Sequence, residues 1–310
     1  MGGIHLTKRI GIVGGGITGL ITAYFLSLEG YKVDLYEKKT LLSETSSKTT
    51  KLIHGGIRYL ENLQFHEVKN GVNDRKWWLE NFPDETKLQE IIILSKRKFS
   101  SEILKFFVGI KIYETFAGRS NIKTGRLYKQ EDLLSFGINN DIAAGISFFD
   151  GLMQESVGEE IIKRCKSNGV NFYENHEINS IRSEGFIEER QYEKIIIATG
   201  PWISSFLKQN KIDTNKTIDY IKGSHLVIKR SIKNGLMFRD QKKQRYIFAL
   251  PYKGNLLLGT TEQRVSSPED KQVLVSEVNY LLENINIYID RRISKDEIIE
   301  SYAGVRPLIK

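Results

Sequence analysis

The chain has 310 residues, 40% hydrophobic and 27% charged, a composition that excludes disordered and fibrous proteins and leaves room for two globular domains. Its 46 Lys+Arg against 38 Asp+Glu give a formal charge of +8, which suits an anionic partner (a phosphorylated substrate, a dinucleotide, an anionic lipid) or equally a scatter of solubilising lysines, whereas no basic stripe or motif points to nucleic acid. A single cysteine, Cys165, excludes an intramolecular disulfide, and no Cys/His cluster has metal-ligand spacing, so a reducing, cytoplasmic setting and no metal are expected.

From Met1 the chain runs directly into an apolar strand, Ile10 to Val13, without the apolar region and cleavage site of a secretory leader. A glycine turn, Gly14 to Gly19, follows. Ile17 to about Gly30 reads as a helix, with Leu20, Ile21, Tyr24, Phe25 and Leu28 at helical spacing, and Lys32 to Glu37 as a second strand. Together these form a β-α-β unit of about 30 residues, which demands a parallel sheet. From Lys76 to Asp141 the pattern changes to charged, helix-like segments without another such unit, as in an inserted domain. Within it, Ser101 to Gly118 carries Ile103, Leu104, Phe106, Phe107, Val108 and Ile110 beside Lys105 and Lys111. That stretch suits a helix packed inside the insert better than one lying on a membrane surface.

The α/β character returns with a helix near Glu155 to Ser167, strands at Gly169 to Tyr173 and Glu177 to Arg182, and the run Glu193 to Gly200, which reads as a central strand of the first sheet. From Ile218 to Glu262 short strands punctuated by Gly and Pro suggest an antiparallel sheet, and a helix follows near Ser276 to Asn284. No stretch reaches the about 18 to 20 apolar residues of a spanning helix.

Gly14-x-Gly16-x-x-Gly19 is a weak signal alone. Here it follows a strand, opens a helix and has Glu37 at the end of the next strand, the context of a dinucleotide site. The glycines let backbone N–H groups approach a pyrophosphate at the helix N-terminus, and Glu37 can accept from ribose hydroxyls. A carboxylate there disfavours a 2′-phosphate but leaves NAD and FAD open. The stretch Thr45 to Glu61 supplies hydroxyls and lysines suited to a diphosphate, and Gly55-Gly56 permits close approach to a planar ring. On residue chemistry alone, a solvated hydroxyl-rich loop is the stronger reading of that stretch. Trp202 fits a core position and a cofactor wall equally.

The segment Lys51-Leu-Ile-His-Gly-Gly-Ile-Arg-Tyr-Leu-Glu61, preceded by its Ser/Thr run, resembles the signature of the FAD-dependent, quinone-linked glycerol-3-phosphate dehydrogenases, within the D-amino-acid-oxidase-like flavoproteins. Ala198 to Trp202, Ile221 to His225, Gly259 to Thr261 and Tyr302 to Leu308 match further motifs in the same order. The resemblance implies an α/β fold, with a Rossmann-like FAD-binding domain (residues 1–80, 145–215 and 296–310) and an inserted cap domain of mixed antiparallel sheet and helices (81–144 and 216–295). It implies oxidation of sn-glycerol 3-phosphate to dihydroxyacetone phosphate, electrons passing to quinone, and peripheral attachment to the cytoplasmic face of the inner membrane.

By the same resemblance FAD would be held by Gly14, Gly16, Ile17, Thr18, Gly19, Glu37, Thr45, Ser46, Ser47, Lys51, Leu52, His54, Gly55, Thr199 and Gly200. Substrate would be bound by Arg58, Tyr59, Lys222, His225 and Arg306. Among these, Arg58 and Arg306 have the guanidinium fork that grips phosphate, and His225 is the expected proton acceptor. The chain departs from the family at Glu262, where Asp is usual, and at Asp150 to Glu155, where an Asp-Asp-Ala-Arg pattern is usual. It also stops at Lys310, where the family continues into a Gly-Gly-Lys segment that closes over the isoalloxazine, so a fragment of a longer protein is expected. The alternatives are a flavoenzyme for another hydroxy acid or an amine, and an inactive, truncated flavin-binding protein.

Overall fold

The computed structural model describes residues 8–57, 64–97, 101–117, 123–240 and 245–309. β1 (Arg9–Val13) leads through the glycine turn into α1 (Ile17–Leu28) and on to β2 (Lys32–Tyr36). Gly19, Leu20 and Ala23 are the buried face of α1. Phe25 and Leu28, expected on that stripe, are exposed. Five residues on from Leu20, Phe25 stands about 140° round the helix and leans on Trp77, ring centroids 5.2 Å apart. A short pair of residues, β3 (Leu52–Ile53), precedes α2 (Phe65–Asn81), β4 (Thr86–Ser95), α3 (Ser101–Ala117), β5 (Leu127–Lys129), α4 (Gln130–Ser135) and β6 (Ala144–Met153).

β4 and β6 are the main differences from the expected helix-rich insert. They pair antiparallel over ten residues. In β4, Ile92 and Leu94 enter one core while Ile91 and Ile93 enter the core on the opposite face. A strand buried on both faces reads as a continuous apolar run rather than an alternating one, which hides it from a period-two reading. α3 packs Phe106, Ile110 and Tyr113 into the second of these cores, as expected for an insert helix, and leaves Leu104, Phe107 and Val108 exposed.

α5 (Ser156–Ser167) packs beside α1, burying Val157, Ile161 and Cys165. β7 (Asn171–Tyr173) follows, then a small antiparallel unit of β8 (Ile181–Arg182), β9 (Phe186–Ile187) and β10 (Arg190–Gln191), then β11 (Lys194–Ile197) and α6 (Ile203–Gln209). Only Ile181 and Arg182 of the expected strand at 177–182 are extended into a sheet. The parallel sheet runs β11-β1-β2-β7, so β11 lies at its edge among the described residues, not at its centre. Its isoleucines are accordingly only half-buried.

The remaining strands are β12 (Ile218–Ile228), β13 (Gly235–Arg239), β14 (Tyr246–Tyr252), β15 (Asn255–Gly259), β16 (Gln263–Val265) and β17 (Ile298–Ile309), with α7 (Val275–Ile285) between the last two. They extend the second sheet in the order β16-β12-β15-β14-β13-β4-β6-β3, with β17 on β12 and β5 on β6. Residues 145–153 and 298–309, expected with the nucleotide-binding part, thus pair in this larger sheet. α7 covers one face of it through Leu281, Leu282 and Ile285, opposite Leu226 and Ile228 of β12. No helix among the described residues is long and apolar enough to cross a membrane.

Candidate functional site

A cavity of about 900 Å³, its open mouth included, lies at the carboxyl ends of β1, β2 and β11, lined there by Val13, Tyr36 and Ala198. The crevice beyond the carboxyl ends of parallel strands is where α/β sheets take ligands. Gly14, Gly16, Glu37, Thr45, Ser46, Thr199 and Gly200, all among the residues expected to hold a cofactor, line it. The turn has no room for a side chain at Gly14 or Gly19. Gly14 has φ +114°, and a Cβ on Gly19 would sit 1.9 Å from the Gly14 carbonyl oxygen. Glu37 braces the turn, its Oε2 accepting from the Gly15 N–H (2.7 Å) and its Oε1 from the Lys39 N–H (2.9 Å).

At the start of α1 the Ile17 N–H donates to Ser46 Oγ at 3.0 Å, so a neighbouring loop hydroxyl meets a group that the helix cannot satisfy itself. Ser47 turns away, donating to Glu44 O (2.9 Å), and Thr18 is exposed on the first turn; neither lines the cavity. Thr199 Oγ1 is buried with no hydrogen-bond partner among the described residues. A buried hydroxyl without a partner is costly, and here it borders an open cavity. Trp202, equivocal in the sequence, is a cavity wall, with Lys38 Nζ 4.5 Å and Lys271 Nζ 5.3 Å from its ring centre. His176 and Ile178 also line it and were missed. The signal for them was their place just beyond β7, the edge strand of the same sheet.

The second constellation lies on one face of the larger sheet. His225 of β12 stands directly opposite Gly259 of β15 and Tyr302 of β17. Three separate sequence motifs meet at this one imidazole. Gly259 is required there, since a Cβ would lie 2.3 Å from His225 Cδ2, and the Tyr302 ring stacks on the other side with centroids 5.0 Å apart. Two residues along β12, Gly223 faces Gly304, and Arg306 lies across that bare backbone with its Nη2 3.4 Å from Thr260 Oγ1.

The 45–51 segment ties cavity and sheet together. Thr45 Oγ1 donates to Val305 O (3.1 Å), Tyr302 Oη to Thr49 O (2.9 Å), and Lys51 Nζ to Ser47 O (2.6 Å). Burial lowers the Lys51 pKa.

Burial, reinforced by the charges of Arg306 and Lys51, pushes the His225 pKa down to about 3, so the imidazole is neutral at pH 7. The folded value lies below the ordinary 6.5, so the unfolded chain takes up the proton first. The stability associated with neutral His225 is complete above pH 6.5 and is lost as pH falls toward 3, at up to about 1.4 kcal/mol per pH unit. Urea unfolding between pH 7 and pH 4 should show a shallower loss of stability in His225→Gln than in the parent. Parallel curves would contradict the burial argument.

Several expectations are corrected or bounded. Lys222, expected to bind substrate, points to the opposite face of β12, where its Nζ is 2.8 Å from Glu277 Oε2 and donates to Gln272 O at 2.8 Å. Glu277 Oε1 also accepts from Ser224 Oγ and Thr261 Oγ1, so the cluster anchors α7. Gly55, expected to admit a planar ring, instead admits Tyr113, whose Oη would lie 2.0 Å from a Cβ there. Leu52 leans on the neighbouring core and His54 is exposed. Arg58 and Tyr59 lie outside the described residues. Glu262, the departure from the family's Asp, pairs with Arg245 at 3.0 Å.

Beneath Gly55, Asp150 Oδ1 accepts from the Gly55 N–H (2.9 Å), Arg75 Nη1 (3.0 Å) and Tyr113 Oη (2.5 Å). Burial raises the Asp150 pKa against the pull of Arg75.

A family model of FAD dependent oxidoreductases matches residues 9–310. The chain belongs to that family. It is 29% identical over 330 residues to an aerobic glycerol-3-phosphate dehydrogenase of Staphylococcus saprophyticus, covering 96% of this chain and 58% of that protein. In fold it is similar to the glycerol-3-phosphate dehydrogenase from Bacillus halodurans complexed with FAD (TM-score 0.76, 22% identity, 99% of this chain and 58% of that one). It is also similar to the L-alpha-glycerophosphate oxidase from Mycoplasma pneumoniae with FAD bound (TM-score 0.79, 20% identity, 98% and 84%). The chain therefore spans about 58% of the length of these two dehydrogenases. For a member of that family, the cavity's residues fit FAD: the glycines of the turn at a helix N-terminus suit a diphosphate, and Thr199 offers it an unused hydroxyl.

Proposed function

We propose that this flavoenzyme oxidises sn-glycerol 3-phosphate at C2 to dihydroxyacetone phosphate and passes the electrons to quinone, working as a peripheral protein at the cytoplasmic face of the inner membrane. The observation that carries the substrate reading is the shared face of β12 and β17, where a neutral imidazole and a guanidinium stand near each other over bare glycine backbone. Bound FAD supplies a two-electron acceptor for the hydride from C2. Arg306 holds the phosphate by charge and by its fork of donors, and Arg58 and Tyr59 complete the grip. His225, kept neutral by burial, takes the hydroxyl proton, which its lowered pKa makes it hold only weakly. Glu37 holds the ribose, its oxygens retaining lone pairs beyond the two backbone N–H bonds. The names of the dehydrogenase relatives support the same substrate.

Under anaerobic conditions, glycerol 3-phosphate should bleach the flavin of the purified full-length protein. Persistent colour, with bleaching by another hydroxy acid or an amine, would replace the substrate. Release of peroxide in air would replace quinone with oxygen as the acceptor. Arg306→Ala should raise KM for glycerol 3-phosphate about 100-fold, corresponding to about 3 kcal/mol for a lost charge-assisted contact, while FAD content is unchanged. Loss of FAD content instead would place Arg306 at the cofactor.

A further inference from the structure

A proton acceptor must be reached, and His225 is 2% exposed. Gly259 and the Tyr302 ring close two sides of its seat. Its Nδ1 is buried with no partner among the described residues, and its Nε2 has one partner, Thr50 Oγ1, at 2.9 Å. Thr50 itself is only half-buried. It stands on the 45–51 segment, between Thr49, whose carbonyl accepts from Tyr302 Oη, and Lys51, whose Nζ is tied to Ser47 O. The chain on either side of Thr50 is thus tied down, and among the described residues its hydroxyl is the one polar atom bonded to Nε2.

We propose that Thr50 Oγ1 relays the substrate's hydroxyl proton to His225 Nε2. A hydroxyl is both donor and acceptor, which a relay needs. As the substrate O–H bond breaks, a new O–H bond forms at Thr50 Oγ1, whose own proton passes to Nε2. Bound FAD would be the two-electron acceptor for the hydride of the substrate C–H bond, which leaves the substrate oxygen as a carbonyl oxygen. Thr50 ends unchanged and His225 carries the proton. Before reaction Nε2 must be bare and the ring proton must sit on Nδ1. Nδ1 lacks a partner in either tautomer, and in the one the relay needs the Thr50 O–H donates to Nε2 across the 2.9 Å contact. The inference rests on the proposed oxidation of a hydroxyl substrate, but the hydrogen bond it invokes can be tested without substrate.

The experiment uses full-length protein carrying FAD, with Thr50→Val and Thr50→Ser. In ¹⁵N-histidine NMR of the substrate-free protein, His225 should show an unprotonated Nε2 whose resonance moves in Thr50→Val and returns in Thr50→Ser. An Nε2 that carries the proton in the parent, or that is indifferent to Thr50→Val, overturns the relay. In anaerobic stopped flow with glycerol 3-phosphate, Thr50→Val should slow flavin reduction about 100- to 1000-fold, the range for a lost proton-transfer partner. FAD content and KM should hold, and Thr50→Ser should recover to within about tenfold of the parent. His225→Gln should cost as much as Thr50→Val, and the double variant no more than either, because the two act as a unit. Full-speed reduction by Thr50→Val would show that the imidazole meets substrate directly. If glycerol 3-phosphate fails to reduce the parent flavin, the substrate reading falls while the NMR result still decides the relay.

Discussion

Protein carrying Gly19→Ala is expected to purify colourless. The added Cβ would lie 1.9 Å from the Gly14 carbonyl oxygen, and because that atom is backbone no flexible side chain can swing away. The turn must open, and the N–H groups at the start of α1 then no longer converge on a diphosphate. A loss of at least about 100-fold in FAD affinity, some 3 kcal/mol, is expected. The flavin-to-protein absorbance ratio after purification measures it. Gly30→Ala is the control, because alanine there meets a positive φ but nothing lies within 4 Å of its Cβ. It should lose only about 1 kcal/mol of stability and keep its colour. Equal flavin content in the two variants would show that the turn is not the diphosphate cradle.

The second large effect lies away from the cofactor. Asp150→Ala removes the one acceptor shared by the Gly55 N–H, Arg75 Nη1 and Tyr113 Oη, and leaves the Arg75 guanidinium, 2% exposed, without its counter-charge. Breaking a buried pair from one side costs about 3–5 kcal/mol, far more than an exposed ion pair is worth. In a chain of this size that lowers Tm by on the order of 10 °C. Thermal unfolding followed by circular dichroism would measure the drop. A drop of less than roughly 2 °C would mean that Arg75 finds water or another acceptor. Asp150→Asn, which keeps an acceptor oxygen but not the charge, should fall between parent and alanine variant.

These two sites differ in how far the sequence announced them. The glycine turn was legible because its function and its fold need the same residues, at a spacing fixed by one strand and one helix start. The Asp150 cluster was not, since it joins α2, α3, β6 and the Gly55 loop, and no local pattern records such a convergence. β4 escaped notice because burial on both faces erases alternation. The three motifs around His225 were each visible, but only strand register reveals that they touch.

Lys222 shows the opposite error. It is three positions from His225, and proximity along the chain suggested a shared site. An odd separation in a strand puts two side chains on opposite faces, so the parity of the numbers already argued against it. Arg306 and Tyr302, four apart, obey the same rule and share the site face. Thr50 was invisible for a different reason: a threonine in a hydroxyl-rich run has no distinguishing neighbour until the fold sets it against a buried ring.

β12 is a strand with two duties assigned by alternate residues. Gly223 and His225 face the proposed substrate site, while Lys222, Ser224, Leu226 and Ile228 are clamped by α7. Slipping the strand by one position would present Ser224 where the imidazole belongs and thrust His225 into the greasy interior behind it. Fidelity of the chemistry is thus underwritten from behind, by leucines and a carboxylate that never meet a substrate. A catalyst rebuilt on this scaffold could vary the front of the strand freely only while the back kept count.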